Sequence, residues 1–200
     1  MRRIIGFTGP AGAGKDLAAS MVPGGHRIAF ADPLYQGLAT MLGIPEGLLR
    51  ARSTKEVPLV DFGRSPRELL QTLGTDWGRK LVAPDVWLRV AYSRWHKAFR
   101  DGHSVIVVPD VRFENEARLI RSKGGEVWLI HRPGVEPVAA HESEAGLPLR
   151  LIDRLVVNSG TVDQLRQRVE ATWWDYGSQS RTSVSGNHAS NHDSSFHHPN

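Results

Sequence analysis

Thirteen residues near the start of the chain, Ile4-Ile5-Gly6-Phe7-Thr8-Gly9-Pro10-Ala11-Gly12-Ala13-Gly14-Lys15-Asp16, combine an apolar run, four glycines and a lysine. An apolar strand running into a glycine-rich turn and then a helical pattern is the arrangement that cradles a polyphosphate. Glycine lets main-chain N–H groups close around the anion, the following helix directs its positive dipole end there, and Lys15 adds a mobile cation. Gly9, Ala11, Gly12, Ala13, Gly14, Lys15 and Asp16 are therefore the candidate ATP-binding residues. A hydroxyl for Mg²⁺ is expected directly after the lysine, and Asp16 and then Leu17 stand there instead. Asp16 either helps to hold the metal or caps the helix.

Other candidates sit where further strands should end. Asp32-Pro33 follows a strand expected at 27–31, where Asp32 either faces ligand or N-caps the next helix. The β-branched run Ser104 to Val108 reads as a central strand, and Asp110 just beyond it is placed to order Mg²⁺ or its waters. Arg112, Asn115 and Glu116 should share one face of the helix that follows. The alternative for Asp110 and Arg112 is an ion pair at the helix N-terminus.

Ser65-Pro66-Arg67-Glu68 is a capping box opening a helix. On that helix Leu70, Leu73, Trp77 and Leu81 form an expected core stripe, while Arg67, Gln71, Thr75 and Arg79 line another face, free for substrate or simply solvated. A helix over 85–101 should bury Leu88, Ala91, Trp95 and Ala98, with Trp87, Trp95 and Phe99 read as core. A strand at 126–131 leads to Arg132 and a polar stretch with His141, Glu142, Ser143 and Glu144, suited to a lid over about 132–150 with Arg132 reaching the transferred phosphate. A last strand at 155–157 precedes a helix whose Val162, Leu165, Val169 and Trp173 should face inward.

These elements bound the architecture. Five strands alternating with helices predict an α/β fold in three α/β/α layers around a five-stranded parallel sheet, with a helical insertion over about 34–102. The domain should span 1–176, and the Ser-, His- and Asn-rich stretch 177–200 should be a disordered tail.

The chain has 200 residues, no cysteine and a formal net charge of +4, with 20 of its 25 basic residues Arg. No stretch approaches the roughly 20 apolar residues that span a bilayer, and no signal peptide is expected, so the reading is cytoplasmic with no membrane partner. Disulfides and thiolate metal sites are excluded. The scattered basic residues predict no stable nucleic-acid binding.

Taken together the motifs resemble the phage-type deoxynucleoside monophosphate kinases, within the nucleoside monophosphate kinase group of P-loop proteins. The resemblance rests on Gly9 to Asp16, Phe30-Ala31-Asp32-Pro33-Leu34, Lys55-Glu56, Ser65-Pro66-Arg67, Leu70-Gln71, Leu73-Gly74-Thr75-Asp76, Asp110-Val111-Arg112-Phe113, Asn115-Glu116, His141 and Ser143-Glu144. It implies transfer of the γ-phosphate of ATP to a (deoxy)nucleoside monophosphate by a core domain, a monophosphate-binding insertion and a lid, in the host cytoplasm if the chain is viral. Lys15, Arg112 and Arg132 are then the expected catalytic residues. Asp32, Arg67, Gln71, Arg79, Arg112, Asn115 and Glu116 are the expected substrate contacts, and Asp16 and Asp110 the expected Mg²⁺ ligands. A homodimer is compatible with this reading. The competing functions are a kinase of another small acceptor, such as dephospho-coenzyme A, and a non-catalytic or DNA-dependent P-loop ATPase.

Overall fold

The computed structural model describes residues 2–135 and 146–185, the side chains of 179–185 excepted. Five strands, β1 (Arg3–Thr8), β2 (Gly25–Arg27), β3 (Val105–Val108), β4 (Glu126–His131) and β5 (Arg154–Val157), form one parallel sheet in the order β2-β3-β1-β4-β5. From β1 the chain goes out to the edge strand β2, returns to β3 beside β1, and then crosses to β4 and β5 on the other side of β1. Such a reversal of strand order opens a crevice at the carboxyl ends of the strands beside β1.

Alternation along the strands feeds two cores. Ile5, Phe7, Val105, Val107, Trp128 and Ile130 face one layer, where helices α1 (Lys15–Ser20) and α7 (Val162–Ser185) contribute Ala18, Ala19, Leu165, Val169 and Trp173. Ile4, Ile106, Val108 and Val127 face the other, covered by Ala91, Trp95 and Ala98 of α5 (Val86–Arg100) and by Ala117 and Ile120 of α6 (Glu114–Ser122). A sheet coated on both faces buries nearly continuous apolar strands, and β3 is buried at all four positions. The predicted three-layer α/β/α fold is therefore the observed one.

Between β2 and β3 lie α2 (Asp32–Leu42), α3 (Glu46–Arg50), α4 (Pro66–Gln71), a π-helix over Thr72–Val82, and α5. The capping box is present: the Ser65 hydroxyl accepts the Glu68 N–H, and the Glu68 carboxylate accepts the Ser65 N–H at 2.8 Å.

Four local expectations are corrected. The strand expected at 27–31 pairs earlier, over Gly25–Arg27, and Ile28 to Phe30 leave the ladder as buried extended chain after the Ile28 N–H bonds Val107 O. The stripe Leu70, Leu73, Trp77 and Leu81 does not turn to the core as a unit, since Trp77 and Leu81 are 48% and 79% exposed. The π-helix, with about five residues between bonded groups, instead turns Gly74, Thr75 and Gly78 inward. Trp87 fills the space those glycines leave, its indole N–H donating to Gly74 O at 2.7 Å, so it packs against the π-helix and is only partly buried. Finally, α7 starts with Val162 exposed and continues past Gly177 to Ser185, beyond the boundary expected for a tail. Trp173 and Tyr176 pack into the core, so the helix is already nucleated where the polar stretch begins.

Candidate active site

The phosphate loop emerges from the buried end of β1. Gly9 adopts φ 136° and passes so close to β4 that a Cβ there would lie 2.4 Å from Ile130 O. Gly14, at φ 96°, stands at the start of α1 in the left-handed region that glycine enters without strain. Lys15, the first residue of α1, donates from Nζ to Gly9 O and Pro10 O, both at 2.7 Å. Its ammonium is thereby folded over the loop, where phosphate oxygens would compete for it. The Asp16 side chain is 83% exposed and 3.8 Å from Arg27 Nη2.

Across the crevice, Asp110 follows β3 by two residues. Its two carboxylate oxygens accept the N–H groups of Phe30 (2.9 Å) and Ala31 (2.8 Å), which fix the segment leading into α2. Burial pushes its carboxyl up, against the pull of those two N–H groups and of Arg112. Asp32, the first residue of α2, is not the N-cap, which is Ala31. Its buried carboxylate accepts the Ala29 N–H at 2.8 Å and pairs with Arg27 at 3.1 Å and Arg50 at 2.9 Å. Burial alone would raise Asp32, but the Ala29 N–H, Arg27 and Arg50 hold it below the usual carboxylate range.

The third group joins the π-helix to α6. Glu116 is buried and accepts the N–H groups of Arg112 (2.7 Å) and Phe113 (3.1 Å). Arg79 pairs with the same carboxylate, reaches Asn115 Oδ1 at 3.3 Å, and lies over the Phe113 ring with its guanidinium carbon 3.8 Å from the centroid. Burial pushes Glu116 up to about 7, despite Arg79 and the two N–H groups. Beside this cluster, Thr75, Arg79, Lys80, Pro84, Phe113 and Asn115 line an open cleft of ≈ 410 Å³.

Arg79 from one motif and Asn115 and Glu116 from another, distant in sequence, thus converge. Arg112 meets them through its main-chain N–H on Glu116, and it lies in the loop before α6, which begins at Glu114, not on the helix face that the sequence predicts. Arg67 pairs with Glu56, which joins two parts of the insertion. Gln71 ends α4 outside the cleft lining, and Arg132 is exposed just beyond β4. His141, Glu142, Ser143 and Glu144 lie outside the described residues.

Three residues escaped the sequence reading. Tyr35 lies under Arg50, 4.0 Å from the guanidinium carbon to the ring centroid. Burial raises its hydroxyl above the usual tyrosine range, against the pull of the Arg50 and Arg112 charges. Arg50 comes from a helix with no motif of its own. Asn158, one residue past β5, donates from Nδ2 to Ala13 O in the phosphate loop at 2.8 Å. Its position at a strand's carboxyl end was the available signal.

For a metal, the described residues contain no cluster of three His, Cys, Asp or Glu. Asp16 and Asp110 are hard oxygen donors, a set that suits Mg²⁺ when phosphate oxygens and water complete its shell.

A parallel sheet in this order, a lysine-bearing glycine loop at its central strand and a second charged group across the same edge define a P-loop kinase. The family model for deoxynucleotide monophosphate kinase matches residues 60–169. The chain is 31% identical over 180 residues to a protein of Acanthamoeba polyphaga mimivirus assigned provisionally to that activity, covering 83% of this chain and 93% of the relative. It is 32% identical over 108 residues to the deoxynucleotide monophosphate kinase of Enterobacteria phage T4, covering 54% and 45%. It is 25% identical over 228 residues to the deoxynucleoside-5′-monophosphate kinase of Escherichia phage T5, covering 79% and 90%. The chain belongs to the deoxynucleotide monophosphate kinase family.

Proposed function

We propose that the protein transfers the γ-phosphate of ATP to a deoxynucleoside 5′-monophosphate, giving ADP and the deoxynucleoside diphosphate. The observation that carries this reading is the pairing of two charged groups on one sheet edge: the Lys15 loop on one side, and the Asp110, Arg112, Glu116 and Arg79 group beside an open cleft on the other.

In the reaction an oxygen of the acceptor phosphate bonds the γ-phosphorus as the bond from that phosphorus to the β-phosphate bridge oxygen breaks. The acceptor is already an anion, so positioning and charge neutralisation dominate over proton transfer. Lys15 and the loop N–H groups hold the β- and γ-phosphates. Arg112 and Arg67 grip the acceptor phosphate, and Arg132 closes on the transferred group from the far side. Asp16 and Asp110 would hold Mg²⁺, which when bound neutralises phosphate charge. Arg79, Asn115 and Gln71 recognise the nucleoside, with amide groups able to pair with a base edge, and Glu116 fixes Arg79. Asp32 acts from behind the crevice, by anchoring Arg27 and Arg50. No described helix is long and apolar enough to cross a membrane, and we place the enzyme in the cytoplasm, where both nucleotides are found.

The test is a steady-state assay of ATP with each of the four dNMPs, ribonucleotides and dephospho-coenzyme A. Diphosphate formed from at least one dNMP is expected. No diphosphate from any of them, with phosphorylation of dephospho-coenzyme A or acceptor-independent ATP hydrolysis in its place, would remove the proposal.

A further inference from the structure

Asn158 lies 145 positions from the carbonyl it binds, and hydrogen bonds brace the chain on either side of it. Its own N–H donates to His131 O at the end of β4 at 2.7 Å. From α7, Arg168 Nη1 donates to Val157 O at 2.5 Å and to Ser159 Oγ at 3.2 Å, bracing the turn on both sides of Asn158. The side-chain amide then donates to Ala13 O, an acceptor, so its NH₂ group must face the loop. Contact here is close enough that a Cβ on Gly14 would lie 2.6 Å from Asn158 Nδ2.

The Ala13–Gly14 peptide is planar and trans, so its C=O and N–H point in opposite directions. Fixing the carbonyl outward on Asn158 turns the Gly14 N–H to the inner side of the loop. If that peptide rotated, a carbonyl oxygen would replace a donor on the side where an anion is to bind, and the glycine at φ 96° offers little resistance to such rotation. We propose that Asn158 is a positioning residue for ATP: it locks the Ala13–Gly14 peptide in its phosphate-accepting orientation, with Arg168 holding Asn158 in place.

The inference rests on the loop being the ATP site, so the experiment separates binding of ATP from use of a monophosphate. Calorimetric titration of ATP, with no acceptor present, is compared with titration of a dNMP alone for wild type, Asn158→Ala and Asn158→Asp. Asn158→Ala should weaken ATP about tenfold, the scale of one lost hydrogen bond to a binding loop. Asn158→Asp should weaken it further, because a carboxylate repels the Ala13 carbonyl. Affinity for the dNMP should stay within about twofold in both. Equal losses for ATP and dNMP, or undiminished ATP binding in a folded variant, would overturn the proposal. If Asn158→Ala fails to fold, Arg168→Gln decides: an ATP-selective loss of about threefold supports the assignment, and a non-selective loss or none refutes it. If wild type binds ATP but phosphorylates no dNMP, the acceptor assignment fails while the Asn158 comparison is still read in full.

Discussion

The guanidinium of Arg79 rests against the carboxylate of Glu116 with the two side chains only 10% and 3% exposed, so an ion pair links the insertion to α6 in a nearly dry site. Removing two charges from water is expensive, and the carboxyl responds by rising to about 7. A raised folded pKa means that the folded state binds the proton more tightly than the unfolded chain. Glu116 therefore contributes stability that is fully present below about pH 4.5 and is lost as pH rises through about 7. In thermal melts between pH 4.5 and 8, Glu116→Gln should flatten the pH dependence by up to about 3 kcal/mol across that window. Identical slopes for wild type and variant would show that Glu116 ionises normally.

Gly78 offers a test of the π-helix. In an ordinary exposed helix, glycine to alanine gains roughly 1 kcal/mol. Here the new methyl would sit 2.5 Å from Trp87 Cζ2, against a ring anchored by its bond to Gly74 O. Overpacking of this kind costs about 1–3 kcal/mol, so the clash should win and Gly78→Ala should be less stable in urea denaturation. Because Thr75 and Arg79 flank the same cleft, the KM for dNMP should rise as well. A stabilised variant would mean that this part of the insertion repacks freely.

What the sequence reveals here depends on whether burial or pairing decides the structure. Val105 to Val108 and the Gly9–Lys15 loop were legible because an apolar run and glycines in this pattern have few other uses. Ile28 to Phe30 is just as apolar and just as buried, yet ladder pairing falls on Gly25–Arg27, which hydrophobicity does not register. The π-helix was invisible for a related reason. A period of 3.6 assigns Trp77 and Leu81 to the core, whereas the close approach of Trp87 to Gly74 and Gly78 is a tertiary fact that selects another winding. At the site, Arg79, Asn115 and Glu116 could be nominated by type, but their mutual contacts could not. Arg50, Tyr35 and Asn158 carry no motif and become visible only through the partners they meet.

Lys15→Ala removes the cation that the loop folds over itself through Gly9 O and Pro10 O. A preorganised charge facing the developing phosphoryl charge is worth about 10²–10³ in kcat. The variant should lose at least that factor in a coupled assay of ADP formation, with far-UV circular dichroism checking that the fold is kept. Retained turnover would show that the loop does not hold the transferred phosphate.

Arg112 separates the two halves of the crevice most cleanly. Its main-chain N–H is fixed on Glu116, which holds the backbone at the mouth of the acceptor side independently of the guanidinium. Truncating the side chain should therefore leave that backbone in place. A charge-assisted hydrogen bond to a phosphate is worth about 1.5–3 kcal/mol, which corresponds to roughly 10- to 150-fold in affinity. Arg112→Ala should raise the KM for dNMP by about that factor while changing the affinity for ATP by no more than about twofold. The loss should also shrink as salt is added to the assay, because screening weakens the wild-type contact and leaves the variant little to lose. If Arg112→Ala weakened ATP and spared the monophosphate, the assignment of the two phosphate sites would have to be exchanged, with the acceptor placed at the Lys15 loop.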